Sequence, residues 1–95
     1  MVIGKIYMVN YKMGWIGILT ENDSFSIAEV LEMTLPSLGE IVIGDLESLG
    51  EEIIINQSSQ EEINVFIQDI YASQKQAMRQ LNIFNNNRND WEMII

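Results

Sequence analysis

The chain lacks the two side chains that most enzymes use for nucleophilic, acid–base and metal chemistry. Its 95 residues contain no cysteine and no histidine. Histidine is the commonest general base near neutral pH, and the cysteine thiolate is a strong nucleophile and a soft metal ligand. We therefore predict that the protein is not an enzyme, has no catalytic residues and carries no cofactor or metal. The lack of cysteine also leaves the redox compartment unspecified.

Basic residues and long apolar runs are scarce as well. Lys and Arg number 5 against 14 Asp and Glu, for a net charge of −9. No apolar run approaches the roughly 18 residues that a membrane span needs, and the opening MVIGKIYMVN lacks the apolar block of a signal peptide. With 47% hydrophobic residues, the composition is that of a globular chain. We expect one cytoplasmic domain with no membrane partner.

The negative charge is concentrated in the middle of the chain. Residues 21–62 carry eleven acids and no base, whereas residues 63–95 balance three acids with three bases. Nucleic-acid affinity comes largely from Lys and Arg, so this block disfavours nucleic-acid binding. It has two interpretations: a solubilising surface, or a face that imitates the spacing of phosphates and occupies the basic groove of a partner.

Residues 1–57 predict a small antiparallel β-barrel of five short strands. Some of these strands are apolar on both faces, as in the run Ile53, Ile54, Ile55, so a second element must cover the outer face. Gly14 and Gly17 interrupt the second strand, and glycine in a strand marks a bend, a bulge or a close approach. The predicted strands are 4–10, 15–20, 24–31, 40–46 and 51–56.

Residues 58–84 predict one long C-terminal amphipathic helix packed on the barrel. Ser58 with Glu61, or Ser59 with Glu62, has the spacing of a capping box. Apolar residues follow at intervals of three and four, and residues 85–95 read as a polar break and an apolar tail that docks on the barrel or on another subunit. The apolar residues of the helix are Ile63, Phe66, Ile67, Ile70, Ala77, Met78 and Leu81.

One ordered series of residues resembles a known family. Asn10, Lys12, Gly14 and Trp15 are followed by Asp23 and Phe25, and residues 4–56 on these grounds resemble the cold-shock domain of the OB-fold family. The resemblance implies an OB-like or SH3-like barrel that binds single-stranded nucleic acid by stacking bases on aromatic side chains. The candidate nucleic-acid residues are Tyr7, Lys12, Trp15 and Phe25.

The sequence also departs from that family. Ile16, Ile18 and Ile27 lie beside the two retained aromatic residues, and residues 10–31 contain no histidine and no lysine other than Lys12. Our preferred hypothesis is therefore a non-enzymatic protein-interaction or assembly module that binds a protein partner or itself, and the alternative is a degenerate single-stranded nucleic-acid-binding protein. The candidate partner-binding residues are Glu40, Asp45, Glu47, Glu51, Glu52, Trp91, Ile94 and Ile95.

Overall fold

The structure is a computed structural model that describes residues 1–84 and 89–95. The fold is mainly β, with one short helix. The elements in chain order are β1 (Val2–Asn10), β2 (Trp15–Thr20), β3 (Phe25–Val30), β4 (Ile41–Gly44), β5 (Gly50–Asn56), β6 (Glu62–Ala72), α1 (Gln74–Gln80) and β7 (Trp91–Met93).

Six of the strands close into an antiparallel barrel. The order around the barrel is β1, β2, β3, β6, β5, β4, and β4 pairs with β1 to complete the ring. Every recorded pairing is antiparallel. The antiparallel barrel expected from residues 1–57 is confirmed, but the number of strands is six and not five.

The sixth strand lies where the sequence predicted the long helix, and that prediction is wrong. Along β6 the side chains of Ile63, Val65 and Ile67 are buried and those of Asn64 and Phe66 are exposed, which is the period of two that a strand requires. The β-branched residues suit this conformation, and β6 pairs with β5 on one side and β3 on the other. The helical spacing was incidental to a strand that closes the barrel.

The helix that does form has seven residues and begins at a different cap. Ser73 Oγ accepts a hydrogen bond from Gln76 N at 3.1 Å, and Gln76 Oε1 accepts one from Ser73 N at 2.8 Å. Ser58 and Ser59 instead belong to the β5–β6 turn, where both backbone amides donate to Asn56 Oδ1. The capping-box chemistry is present, but fifteen residues after Ser58 in the chain.

Two apolar layers account for strands that are hydrophobic on both faces. The barrel core fills the interior, and a second core lies on the outer face of β1, β2 and β3, beneath α1 and β7. The expectation of a covering element therefore holds for this side of the barrel. The barrel core consists of Ile6, Val9, Ile16, Ile18, Ala28, Val30, Val42, Leu46, Ile54, Ile63, Val65 and Ile67. The second core consists of Met8, Phe25, Ile27, Ala72, Ala77, Leu81, Ile83 and Trp91.

The two glycines near Trp15 have different structural causes. Gly14 has a φ of +72° in the turn between β1 and β2, a conformation that costs other residues free energy. Gly17 faces Met8, and a Cβ at Gly17 would lie 3.2 Å from the Met8 sulfur. The first glycine serves the turn and the second allows Met8 to pack against the strand.

In the described part of the segment after the helix, one strand forms, β7. One edge of β1 pairs with two strands: its first half pairs with β4, and its second half pairs with β7. The polar break predicted at 85–87 lies outside the described residues. Among the described residues, no helix has the length and hydropathy needed to cross a bilayer.

Candidate functional site

The candidate nucleic-acid residues fall on one side of the barrel but differ in exposure. Phe25 is 4% exposed in the second core, and the Tyr7 ring meets it edge to face with ring centroids 5.4 Å apart. Trp15 is half-buried against the same core, whereas Lys12 is exposed in the β1–β2 turn. Tyr7 and Phe25 are brought together by packing, and the three aromatic rings do not form a row of exposed platforms.

Asn10, the first residue of the cold-shock-like series, stabilises the fold through hydrogen bonds of its side chain. Its side chain is buried; Nδ2 donates to Leu81 O at 2.7 Å and Oδ1 accepts from Met13 N at 2.8 Å. Asn10 thus holds the β1–β2 turn and attaches it to the end of α1.

Three of the acidic candidates lie at the loops that flank β4. Glu40 is half-buried and its Oε1 accepts from Ser37 N at 2.6 Å. Glu47 is also half-buried and accepts from Asn22 Nδ2 at 3.0 Å, while Asp45 is exposed. The recorded donors to these carboxylates are uncharged, so the negative charge is not neutralised by them.

The other two acidic candidates lie at the start of β5 and line a groove of about 470 Å³. Glu51 is exposed and Glu52 is half-buried. Leu31, Ile53, Asn64 and Val65 complete the lining. The groove therefore combines two carboxylates with aliphatic side chains.

The three candidates of the tail occupy three different environments. Trp91 is 9% exposed and belongs to the second core, whereas Ile95 is fully exposed. Ile94 is half-buried and lines a shallow depression of about 240 Å³ together with Ile3, Tyr7 and Ile41. The tail thus docks on the barrel through Trp91 and reaches the outer face of β1 and β4 through Ile94.

That outer face carries a group of isoleucines that sequence reasoning did not single out. Ile3 pairs with Ile43, and Ile43 pairs with Ile55, so one row crosses three neighbouring strands. Their neighbours Val42 and Ile54 point into the barrel core, which places the row outside. Ile3 is 44% exposed and Ile53 is 55% exposed, and the other members are half-buried. We name the group the isoleucine face: Ile3, Ile41, Ile43, Ile53 and Ile55.

Acidic residues surround the isoleucine face. Glu62 pairs with Ile55, Glu40 precedes Ile41, and Glu51 lies two residues before Ile53 on the same side of β5. Glu21 Oε1 accepts from Ile3 N at 2.8 Å, and Asp45 follows β4. One cation is close, since Lys5 pairs with Ile41. We name the acidic rim by its members: Glu21, Glu40, Asp45, Glu51 and Glu62.

The sequence does contain a signal for this face, since two of its strands are apolar on both sides. From the sequence alone, the predicted helix would cover these residues. Two runs of three consecutive apolar residues contain no polar residue: Ile41, Val42, Ile43 and Ile53, Ile54, Ile55. The helix has only seven residues and packs against β3 and β6. A cover of that length serves one side of the barrel, and the side formed by β4 and β5 keeps its apolar outer residues.

Among the described residues, one pKa is displaced, that of Tyr11 in the turn between β1 and β2. The Tyr11 hydroxyl donates to Glu92 Oε1, and this hydrogen bond, followed by burial and by the charge of Glu92, raises the pKa of Tyr11 to about 12. The bond attaches the exposed side chain of β7 to the β1–β2 turn.

Within the part of the chain that the structure describes, no three acidic side chains converge as metal ligands would. Comparison with protein-family models, with curated proteins and with solved structures gives no match for the chain. The cold-shock resemblance therefore stays a prediction.

Proposed function

We propose that the protein is a non-enzymatic interaction module that binds a basic protein partner through the isoleucine face. The observation that carries the proposal is the row Ile3, Ile43, Ile55 on the outside of the barrel. The outer face of an antiparallel sheet in contact with water is ordinarily polar. Contiguous apolar residues with a polar border are typical of a protein–protein interface.

The charge around the face decides which kind of partner fits. All members of the acidic rim lie in residues 21–62, which contain no Lys or Arg. A partner segment that sets Lys or Arg among apolar residues would match both the face and the rim. A second copy would bring another chain of net charge −9 against the same rim, and like charges would oppose that contact. We therefore favour a basic partner over self-association.

The nucleic-acid alternative has less support. Base stacking requires an accessible ring face, and Phe25 is packed in the second core. An OB-like relationship is compatible with a closed antiparallel barrel, but no residue pattern on this barrel adds to the resemblance in residues 4–56.

The experiment that tests the proposal uses two labelled peptides of equal length, KISIKISK and EISIEISE, in fluorescence anisotropy titrations. We expect the basic peptide to bind and the acidic one not to bind. Ile43→Thr should lower the affinity for the basic peptide about fivefold, because it removes ~1 kcal/mol of apolar contact. Threonine keeps the β-branched shape that suits a strand.

Leu49→Thr is the matched control. Leu49 is 61% exposed in the loop between β4 and β5 and outside the isoleucine face, so its loss should leave the affinity unchanged. Equal binding of both peptides, or equal effects of the two substitutions, would contradict the proposal. Light scattering of the free protein tests for self-association. If the protein has the mass of two chains and Ile43→Thr has the mass of one, the partner that binds the isoleucine face is a second copy of the chain.

A further inference from the structure

The groove beside β5 is continuous with the isoleucine face. Ile53 belongs to both, since it is one of the five isoleucines and also lines the groove. Leu31 lies on the opposite wall, where its backbone N–H donates to Asn64 O at 2.9 Å. A peptide lying along the isoleucine face would therefore pass the mouth of this groove.

The lining of the groove has two chemically different parts. Leu31 and Ile53 are 46% and 55% exposed, and they provide aliphatic walls. Glu51 and Glu52 are consecutive on a strand, so their side chains leave the backbone on opposite sides, yet both line the groove. An aliphatic chain that ends in a positive charge satisfies both parts at once, because Lys and Arg pack their stems on apolar surface and keep the charged group at a polar border.

The nearby carboxylates differ in whether they are already engaged. Asn64 donates to Glu32 Oε2 from its backbone and from its side chain, which occupies that acid. Among the described residues, no hydrogen-bond donor lies on the carboxylate of Glu51 or of Glu52, and both line the groove. They are therefore the carboxylates available to a cation that enters the groove.

We propose that this groove receives a Lys or Arg side chain of the partner, with the stem between Leu31 and Ile53 and the cationic group between Glu51 and Glu52. The inference rests on the proposed function, because the isoleucine face must hold the backbone of the same partner segment. It adds the position at which the partner's positive charge is recognised.

The test uses the peptide acetyl-ISRSI-amide, whose isoleucines and arginine lie on the same side of an extended chain, and its counterpart in which arginine is replaced by citrulline. Citrulline keeps the length and shape of arginine but carries no charge. Both peptides are titrated into the ¹⁵N-labelled protein, and binding is followed by the NMR signals of Leu31, Ile53 and the Asn64 side-chain amide. We expect the arginine peptide to bind about threefold more tightly, which is the scale of a solvent-accessible ion pair.

Charge-removing variants locate the effect. Glu51→Gln and Glu52→Gln should each lower the ratio of the two affinities toward one, while the citrulline peptide binds as before. Glu61→Gln removes the same charge from an exposed residue outside both the groove and the acidic rim, and it should leave the ratio near three. Thermal unfolding of each variant checks that the fold is retained.

The outcomes separate this proposal from the one before it. Ile43→Thr should weaken both peptides alike and leave their ratio unchanged, because it acts on the face alone. Equal affinities of the two peptides for the unaltered protein, or a ratio that Glu51→Gln and Glu52→Gln do not change, would overturn the proposal that the groove receives a cation. The proposal for the isoleucine face would stand. If neither peptide binds, both proposals are overturned.

Discussion

Tyr11 and Glu92 show how single residues join distant parts of this chain. They are 81 residues apart, and their hydrogen bond attaches β7 to the β1–β2 turn. The bond favours the neutral phenol, and the pKa of Tyr11 is raised from 10.0 to about 12. Because the folded-state pKa lies above the unfolded one, this contribution to stability is complete below pH 10 and is lost as the pH rises toward about 12.

The residue-scale prediction concerns that pKa. In Glu92→Gln the carboxylate charge is removed, so the pKa of Tyr11 should fall toward its ordinary value of 10.0. The measurement is an absorbance titration of tyrosinate, and the same titration of Tyr11→Phe identifies the contribution of Tyr11 among the three tyrosines. An unchanged titration curve in Glu92→Gln would show that the hydrogen bond does not form in solution.

At the scale of elements, the short helix α1 acts as a cover for the second core. Its buried residue Ala77 packs in that core, beside Leu81 at the C-cap. A helix of seven residues is too short to be stable alone in water. Its stability therefore comes from the capping box at Ser73 and from the apolar surface that it covers.

The element-scale prediction removes the cap. Ser73→Ala deletes the hydroxyl that accepts from Gln76 N and should lower the free energy of unfolding by about 1 kcal/mol. Urea denaturation followed by tryptophan fluorescence measures this change, since Trp15 and Trp91 both pack in or against the second core. Gln74→Ala, at the exposed first position of the helix, is the control and should have little effect. If Ser73→Ala leaves the urea midpoint unchanged, the cap does not stabilise the fold.

At the scale of the whole molecule, the distribution of charge determines which polymers can approach. The net charge is −9, and the three acids of residues 63–95 are matched by three bases, so the excess lies in residues 21–62. Counterion release from phosphates gives most of the affinity of nucleic-acid-binding proteins. This surface has few cations to release them.

The whole-molecule prediction follows from that balance. Titration of the protein with a short oligothymidylate at low salt should leave the tryptophan fluorescence unchanged, because repulsion is strongest when salt is low. Trp91→Phe makes Trp15 the single reporter, since the chain has two tryptophans. Saturable quenching that Trp15→Ala abolishes would restore the cold-shock-like alternative.

Local patterns in the sequence were sufficient for the class of fold. Alternating and β-branched residues located the five strands up to Asn56, and apolar residues on both faces correctly required a cover on part of the barrel. They were insufficient for residues 58–84, because Ile63, Phe66, Ile67 and Ile70 satisfy a helical spacing while Ile63, Val65 and Ile67 satisfy the spacing of a strand. Periodicity alone does not choose between these, and pairing with both β3 and β5 does.

What the sequence by itself determined was the chemistry of the surface. It has an excess of acids, it lacks cysteine and histidine, and some of its strands are apolar on both sides, unlike the strands of a sheet with one face in water. Only the tertiary structure decided which apolar outer residues are covered. α1 packs against β3 and β6, whereas β7 packs against β1. Phe25 and Trp91 are therefore buried in the second core, while Ile43 and Ile55 form part of an open face. The physical reason is that exposure depends on which elements meet across the barrel, a property of long-range pairing that no local pattern contains.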